Sequence, residues 1–287
     1  MGPLSAVTMK TIRSMSAKGE PFACLTCYDA TTAGLLERAG VHVLLVGDSA
    51  AEVILGFERT IDMPLEFAIV LTAAVKRGAP SRLVMADMPF MSYHADEGEA
   101  IRNAGRFMTE GRADVVKLEV DSSFGPLVEK LTRAGVPVVA HIGSKPQQAG
   151  LKGGYGGAGR TPVEAEAIVQ DAVAMQAAGA VMLLIEAVPE TVTRRVLQAT
   201  SIPLIGIGAG AECHGQVLVV HDLLGLSKTP PRFAEPAASL AGLIETAGRE
   251  WVRRVSERQL GGRGYEMKVE GKPGSESAAR INPNREG

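Results

Sequence analysis

With 287 residues the chain has the length of one α/β barrel and can bury a large core. Its 30 Lys+Arg against 32 Asp+Glu leave a formal net charge of -2, so nothing points to a nucleic-acid or membrane-surface partner. No apolar stretch approaches the roughly 20 residues of a spanning helix, and the start, Met1-Gly2-Pro3-Leu4, lacks the basic and apolar regions of a signal peptide, so a soluble cytoplasmic protein is expected.

The spacing predicts a short amphipathic helix over 8–18, stopped by Gly19 and expected to plug the amino-terminal end of a barrel. Residues 22–27 read as the first strand. Cys24 and Cys27 have C-x-x-C spacing but lie inside this apolar run, not at a helix start where a thiolate is stabilised. They are expected as core residues, and no nearby Cys or His completes a zinc site. A helix over 30–39, closed by Gly40, leads to the second strand, Val43-Leu44-Leu45-Val46, which runs straight into Gly47-Asp48-Ser49. Residues 50–63 are expected as a longer loop and 64–77 as a helix. The third strand ends at Asp87, and a helix follows over about 95–111. The fourth strand runs from Asp114 to Glu119, then a helix to Gly135, then a fifth strand to His141.

Residues 144–160 hold Gly153-Gly154-Tyr155-Gly156-Gly157-Ala158-Gly159. So many glycines argue against fixed structure, and for a mobile loop over the barrel mouth. A helix over 162–179 has Pro162 near its start. The sixth strand ends at Glu186, with a helix after Pro189. The seventh, 203–207, continues as Gly208-Ala209-Gly210. These glycines are not spaced as a dinucleotide fingerprint, nor do they open a first βα unit. An eighth strand over 216–220 makes eight βα units, and a helical pattern covers about 233–260. A single (β/α)8 catalytic barrel is therefore expected over 8–260, with 261–287, poor in large apolar residues, as a disordered tail.

One regularity carries the functional reading. Five apolar, buried-looking strands in succession finish on Asp48, Asp87, Glu119, His141 and Glu186. A single Asp after a strand is usually a helix N-cap or a turn former. Five ionisable residues in consecutive units are harder to explain so, because the carboxyl ends of barrel strands converge on one mouth. Acids gathered there repel unless a cation or a proton neutralises them, so the pattern asks for a metal. Lys117 and Glu119, two apart, share one strand face. They are readable either as a structural ion pair or as a substrate-binding cation beside a metal-binding carboxylate.

These strand ends are also where a family resemblance lies. Val46-Gly47-Asp48-Ser49, Ala86-Asp87-Met88-Pro89-Phe90, Val116-Lys117-Leu118-Glu119, His141-Ile142-Gly143 with Pro146-Gln147, Glu186-Ala187-Val188-Pro189 and Gly206-Ile207-Gly208-Ala209-Gly210 occur in the order found in ketopantoate hydroxymethyltransferases, which the chain resembles over roughly 8–258. The resemblance implies a (β/α)8 TIM barrel that binds Mg2+. It implies transfer of a one-carbon unit from the folate 5,10-methylenetetrahydrofolate to the 2-oxo acid 3-methyl-2-oxobutanoate, in pantothenate biosynthesis. It also implies a homo-oligomer, often a decamer. Carried over by motif, Asp48, Asp87 and Glu119 surround the metal, and Ser49 and Lys117 hold the substrate carboxylate, beside Asp48 and Asp87. Glu186 is the proton acceptor, the alternative for its carboxylate being a metal ligand or a partner for His141. His214 after Cys213, the small residues Gly156-Gly157-Ala158, Ser144-Lys145 and Pro236-Ala237 depart from the family pattern, which bears on folate affinity, the glycine loop and assembly.

The expected chemistry follows from the substrate. Its C3 hydrogen is too weakly acidic for an unaided carboxylate, so Mg2+ chelated by the 2-oxo and carboxylate oxygens would stabilise the enolate. A Glu within hydrogen-bond reach can then take the proton. Closure of the mouth would keep water from the reactive folate iminium. A second reading is another Mg-dependent aldolase or lyase acting on a 2-oxo acid, separated from the first by its indifference to folate. A third is a non-catalytic paralogue, against which the retained Asp48, Asp87, Lys117, Glu119 and Glu186 argue.

Overall fold

Eight parallel strands, hydrogen-bonded in sequential order and closed by pairing of the first with the last, form a barrel in the computed structural model, which describes residues 5–262 and 264–265. The strands are β1 Phe22–Thr26, β2 Val43–Val46, β3 Leu83–Asp87, β4 Val115–Glu119, β5 Val138–Gly143, β6 Met182–Glu186, β7 Leu204–Ile207 and β8 Gly215–Leu218. Between and around them lie α1 Met9–Lys18, α2 Ala30–Arg38, α3 Ala50–Val53, α4 Leu65–Gly78, α5 Glu97–Thr109, α6 Gly125–Arg133, α7 Ala149–Lys152, α8 Pro162–Ala177, α9 Glu190–Ala199 and α10 Val220–Leu223. The predicted (β/α)8 barrel is the fold.

Strands 2 to 5 are buried along their whole length, which is why each opens on an apolar run without polar alternation. Side chains alternate between two cores. One packs the barrel wall against the helices and includes Leu44, Val84, Val116, Ala140 and Ile185. The other fills the barrel interior and includes Cys24, Val43, Leu45, Leu83, Met85, Val115, Val139, Met182 and Leu184. Val7 and Ile12 belong to this interior core, so α1 is the expected plug. It is held by a capping box at Thr8 and stopped by Gly19 in the left-handed region, φ 69°.

Several boundaries differ from the sequence reading. The 50–63 stretch is not all loop: it holds α3 and a 3-10 turn, Thr60–Asp62. The glycine-rich stretch is more ordered than its composition suggests. It begins with a 3-10 turn, Pro146–Gln148, and α7. Ser144 Oγ then donates to Gly156 O at 2.8 Å, and Ala158 N–H donates to Ala187 O at 2.9 Å. The unit after β7 has no helix among the described residues, because only residues 208–214 separate β7 from β8 and Gly208 and Gly210 turn the chain with positive φ. β8 ends at Leu218 and α10 starts at Val220, so the expected strand over 216–220 runs two residues too far.

A second compact unit begins at Gly242. Most of α11, Leu240–Ser256, lies in it. The helical pattern read over 233–260 therefore shortens to α11, since Pro236 and its neighbours lie in irregular backbone. α11 carries i,i+3 and i,i+4 ion pairs along one side, including Arg249–Glu245, Arg253–Glu250 and Arg254–Glu250. Nearly all of the 261–287 tail lies outside the described residues.

Candidate active site

The interior-facing series of β3 to β6 each end on a polar side chain. After Leu83 and Met85 comes Asp87, and after Val115 come Lys117 and Glu119. After Val139 comes His141, and after Met182 and Leu184 comes Glu186. Backbone register sets Asp87 level with Lys117, Glu119 level with His141, and Gly143 level with Glu186. The period of two therefore aims all five side chains into the upper barrel. None caps the helix that follows it. Ser49 holds the N-cap position of α3, Asp96 caps α5, Asp121 caps the turn before α6, and Pro189 precedes α9. The N-cap explanation of these acids fails on that geometry.

The polar groups are bonded to one another. Asp48 N–H donates to Asp87 Oδ2 at 3.1 Å. Lys117 Nζ lies 3.2 Å from Asp87 Oδ1 and donates to His141 Nδ1 at 3.1 Å. The other ring nitrogen, Nε2, lies 3.3 Å from Glu186 Oε2, and Nδ1 is 3.7 Å from Glu119 Oε1. Ser49 Oγ and the Tyr28 hydroxyl are 2.8 Å apart. Lys117 takes Asp87 of the neighbouring strand as its ion-pair partner, not Glu119 on its own face.

Gln147 ties two acids together. Its side-chain amide donates to Asp48 Oδ2 at 2.9 Å and Met88 O at 3.1 Å, and its backbone N–H donates to Glu119 Oε2 at 2.9 Å. Tyr93 donates its hydroxyl to Gln147 Oε1 at 2.8 Å, which fixes the direction of the amide. Sequence reasoning gave no role to Gln147 or Tyr93, and offered His141 only as the alternative partner of Glu186. His141 did carry a signal, since it continues the inward series of β5. Tyr93 carried none, because a loop has no fixed side-chain period.

Burial governs the electrostatics. It pushes the Asp87 and Glu119 carboxyls above their ordinary values, and although Lys117 opposes this, Asp48 adds to it. Burial lowers the Lys117 ammonium, yet Asp87, Asp48 and Glu119 together outweigh it and hold the group charged. His141 is pressed well below its usual value by burial and then by Lys117, so its ring is neutral. Burial raises Glu186 to about 7, with Lys117 opposing.

The donor set suits a hard divalent cation. Asp87 Oδ1 and Glu119 Oε1 are buried without an aligned hydrogen bond, and carboxyls raised by burial, with Asp48 adding to it, are relieved by positive charge. Among the described residues no three acidic, His or Cys side chains stand at the spacing of a ready-made metal cage. Mg2+ does not need one, because it keeps waters and takes one or two carboxylates plus substrate oxygens. Cys24 and Cys27 are free and buried, Cys27 raised to about 11 by burial, as core residues should be.

A family model described as "Ketopantoate hydroxymethyltransferase" matches residues 6–262. The 3-methyl-2-oxobutanoate hydroxymethyltransferase of Nitrosospira multiformis is 45% identical over 257 residues, covering 89% of this chain and 97% of that one. The enzyme of the same name from Hyperthermus butylicus is 44% identical, covering 90% and 89%. Among solved structures, 2,3-dimethylmalate lyase shares the fold at TM-score 0.58 and 18% identity, covering 90% and 91%. Phosphoenolpyruvate phosphomutase from Streptomyces platensis subsp. rosaceus does so at 0.60 and 14%, covering 88% and 89%.

Proposed function

Since the chain belongs to the ketopantoate hydroxymethyltransferase family and is an enzyme of that kind, we propose that its substrates are 3-methyl-2-oxobutanoate and 5,10-methylenetetrahydrofolate and that the mouth assembled from β2 to β6 performs the reaction. The observation that carries this reading is the acid-lined interior beside one retained ammonium. Asp48, Asp87 and Glu119 supply oxygens for a hard cation, and Lys117 supplies a fixed positive charge for an anionic substrate. On the family's pattern the reading extends to a cytoplasmic homo-oligomer serving pantothenate, and so coenzyme A, biosynthesis.

Lys117 and the Ser49 hydroxyl hold the substrate carboxylate, which orients C3 toward β6. When bound, Mg2+ supplies positive charge that stabilises the enolate. Asp48, aligned by the Gln147 amide, and Asp87, which accepts from Asp48 N–H, would hold it, with Glu119 beside them. Glu186 takes the C3 proton. Its raised value near 7 makes it a stronger base than an exposed Glu while leaving much of it ionised at neutral pH. The C3 carbanion character then attacks the folate-borne methylene. A C–C bond forms, the methylene–nitrogen bonds to folate break, water supplies the oxygen of the new hydroxyl, and the C3 proton with the second proton of water goes to the two folate nitrogens.

The test separates proton removal from carbon transfer. In heavy water with Mg2+ and 3-methyl-2-oxobutanoate but no folate, the enzyme should exchange the C3 hydrogen for deuterium, followed by NMR. Glu186→Gln is nearly isosteric but cannot accept the proton, so exchange and turnover should fall by about 10²–10⁴-fold while the 2-oxo acid still binds. Exchange at an unchanged rate in Glu186→Gln would remove Glu186 from the role of base.

A further inference from the structure

We propose that His141 is the positioning residue of the base, its Nε2–H being the donor that orients the Glu186 carboxylate. The proposal rests on the reading of Glu186 as proton acceptor. The ammonium of Lys117 can only donate, so its 3.1 Å contact makes His141 Nδ1 an acceptor and leaves the ring proton on Nε2. Asp87 at 3.2 Å holds Lys117 in place for this. The ring is 2% exposed, so its orientation is set by packing.

Nε2 faces Glu186 Oε2 at 3.3 Å and has no aligned hydrogen bond among the described residues. A buried N–H beside a carboxylate oxygen closes its bond with a small rotation, as catalytic contacts do when substrate arrives. Donation to Oε2 pins one oxygen of Glu186 and leaves Oε1 free to meet C3–H. Gly143 makes the approach of the two strands possible. It lies at φ 89°, and a Cβ there would stand 2.7 Å from the Glu186 carbonyl oxygen.

Three variants and one control test this in the folate-free exchange reaction. His141→Leu removes both ring nitrogens. His141→Gln returns an N–H near the Nε2 position. His141→Asn keeps an acceptor for Lys117 but has no donor that reaches Glu186. We expect His141→Leu and His141→Asn to lose about 10–100-fold in the maximal exchange rate, the range seen when orienting partners are removed, with KM for the 2-oxo acid within about threefold. His141→Gln should recover most of the rate. Wild-type exchange in His141→Leu, or a His141→Gln variant as slow as His141→Asn, overturns the proposal. If His141→Leu does not fold, the Gln and Asn pair decides. Glu186→Gln is the control. Should it exchange normally, the base has been misassigned and this inference goes with it, whereas an inactive Glu186→Gln beside a fully active His141→Leu rejects His141 alone.

Discussion

As the proposed base, Glu186 would owe its strength to burial at the end of a strand rather than to an unusual side chain. Its value near 7 gives a pH dependence with a definite sign. A carboxylate accepts a proton only when ionised, so exchange of C3 at saturating substrate should fall as pH drops through about 7, approaching tenfold per unit below it. A plateau held down to the ordinary Glu range, near 4.5, would show that Glu186 is not desolvated when substrate is bound. Gln147 acts on the acids from the other side. It donates at once to Asp48 and Glu119, and Tyr93 keeps its amide from flipping. Gln147→Leu should weaken Mg2+ binding about 10–100-fold by calorimetry, the usual effect of losing an orienting partner. Unchanged affinity would reduce Gln147 to packing.

At the scale of elements, two features hold the mouth in shape from opposite ends. α1 closes the amino-terminal end of the barrel with Ile12, which is fully buried in the interior core. Ile12→Ala leaves a cavity that the surrounding strands cannot collapse around, and should cost about 2–5 kcal/mol in denaturant unfolding. A loss well under 1 kcal/mol would mean that the plug is not integral to the barrel. At the other end, Gly143 lets β5 turn away beside the backbone of Glu186. Gly143→Ala combines a strained φ with a clash against backbone, so the exchange rate should fall while Mg2+ affinity, which the proposed site assigns to β2 to β4, changes little. Equal losses in both would place Gly143 in the general stability of the mouth.

For the molecule as a whole, the raised Asp87 and Glu119 carboxyls describe a barrel that carries unrelieved acidity at one end. A ligand that binds only the folded state stabilises it by mass action. Mg2+ at about 100 times its Kd should therefore raise Tm by on the order of 5 °C, and a strong chelator should lower it while abolishing turnover. Substituting Asp87 with Asn should remove most of the Mg2+-dependent rise. A Tm indifferent to Mg2+ in the wild type would leave the acids without a cation to serve.

The barrel and the inward ring of ionisable ends were legible in the chain before any contact was known. Both are written in local patterns, an unbroken apolar run for a strand buried on both faces and a period of two that carries through to Asp87, Glu119 and Glu186. Resemblance added roles for Asp48, Ser49 and Lys117 to positions those patterns had already marked. Which side chains touch emerged only in the folded barrel. It paired Lys117 with Asp87 instead of Glu119 and turned His141 toward both Lys117 and Glu186. It also brought Gln147, in a stretch read as mobile loop, down between Asp48 and Glu119. These contacts depend on the stagger between neighbouring strands and on the path of loops over the mouth. Stagger is fixed by closure of the whole barrel, and no single segment of sequence encodes it.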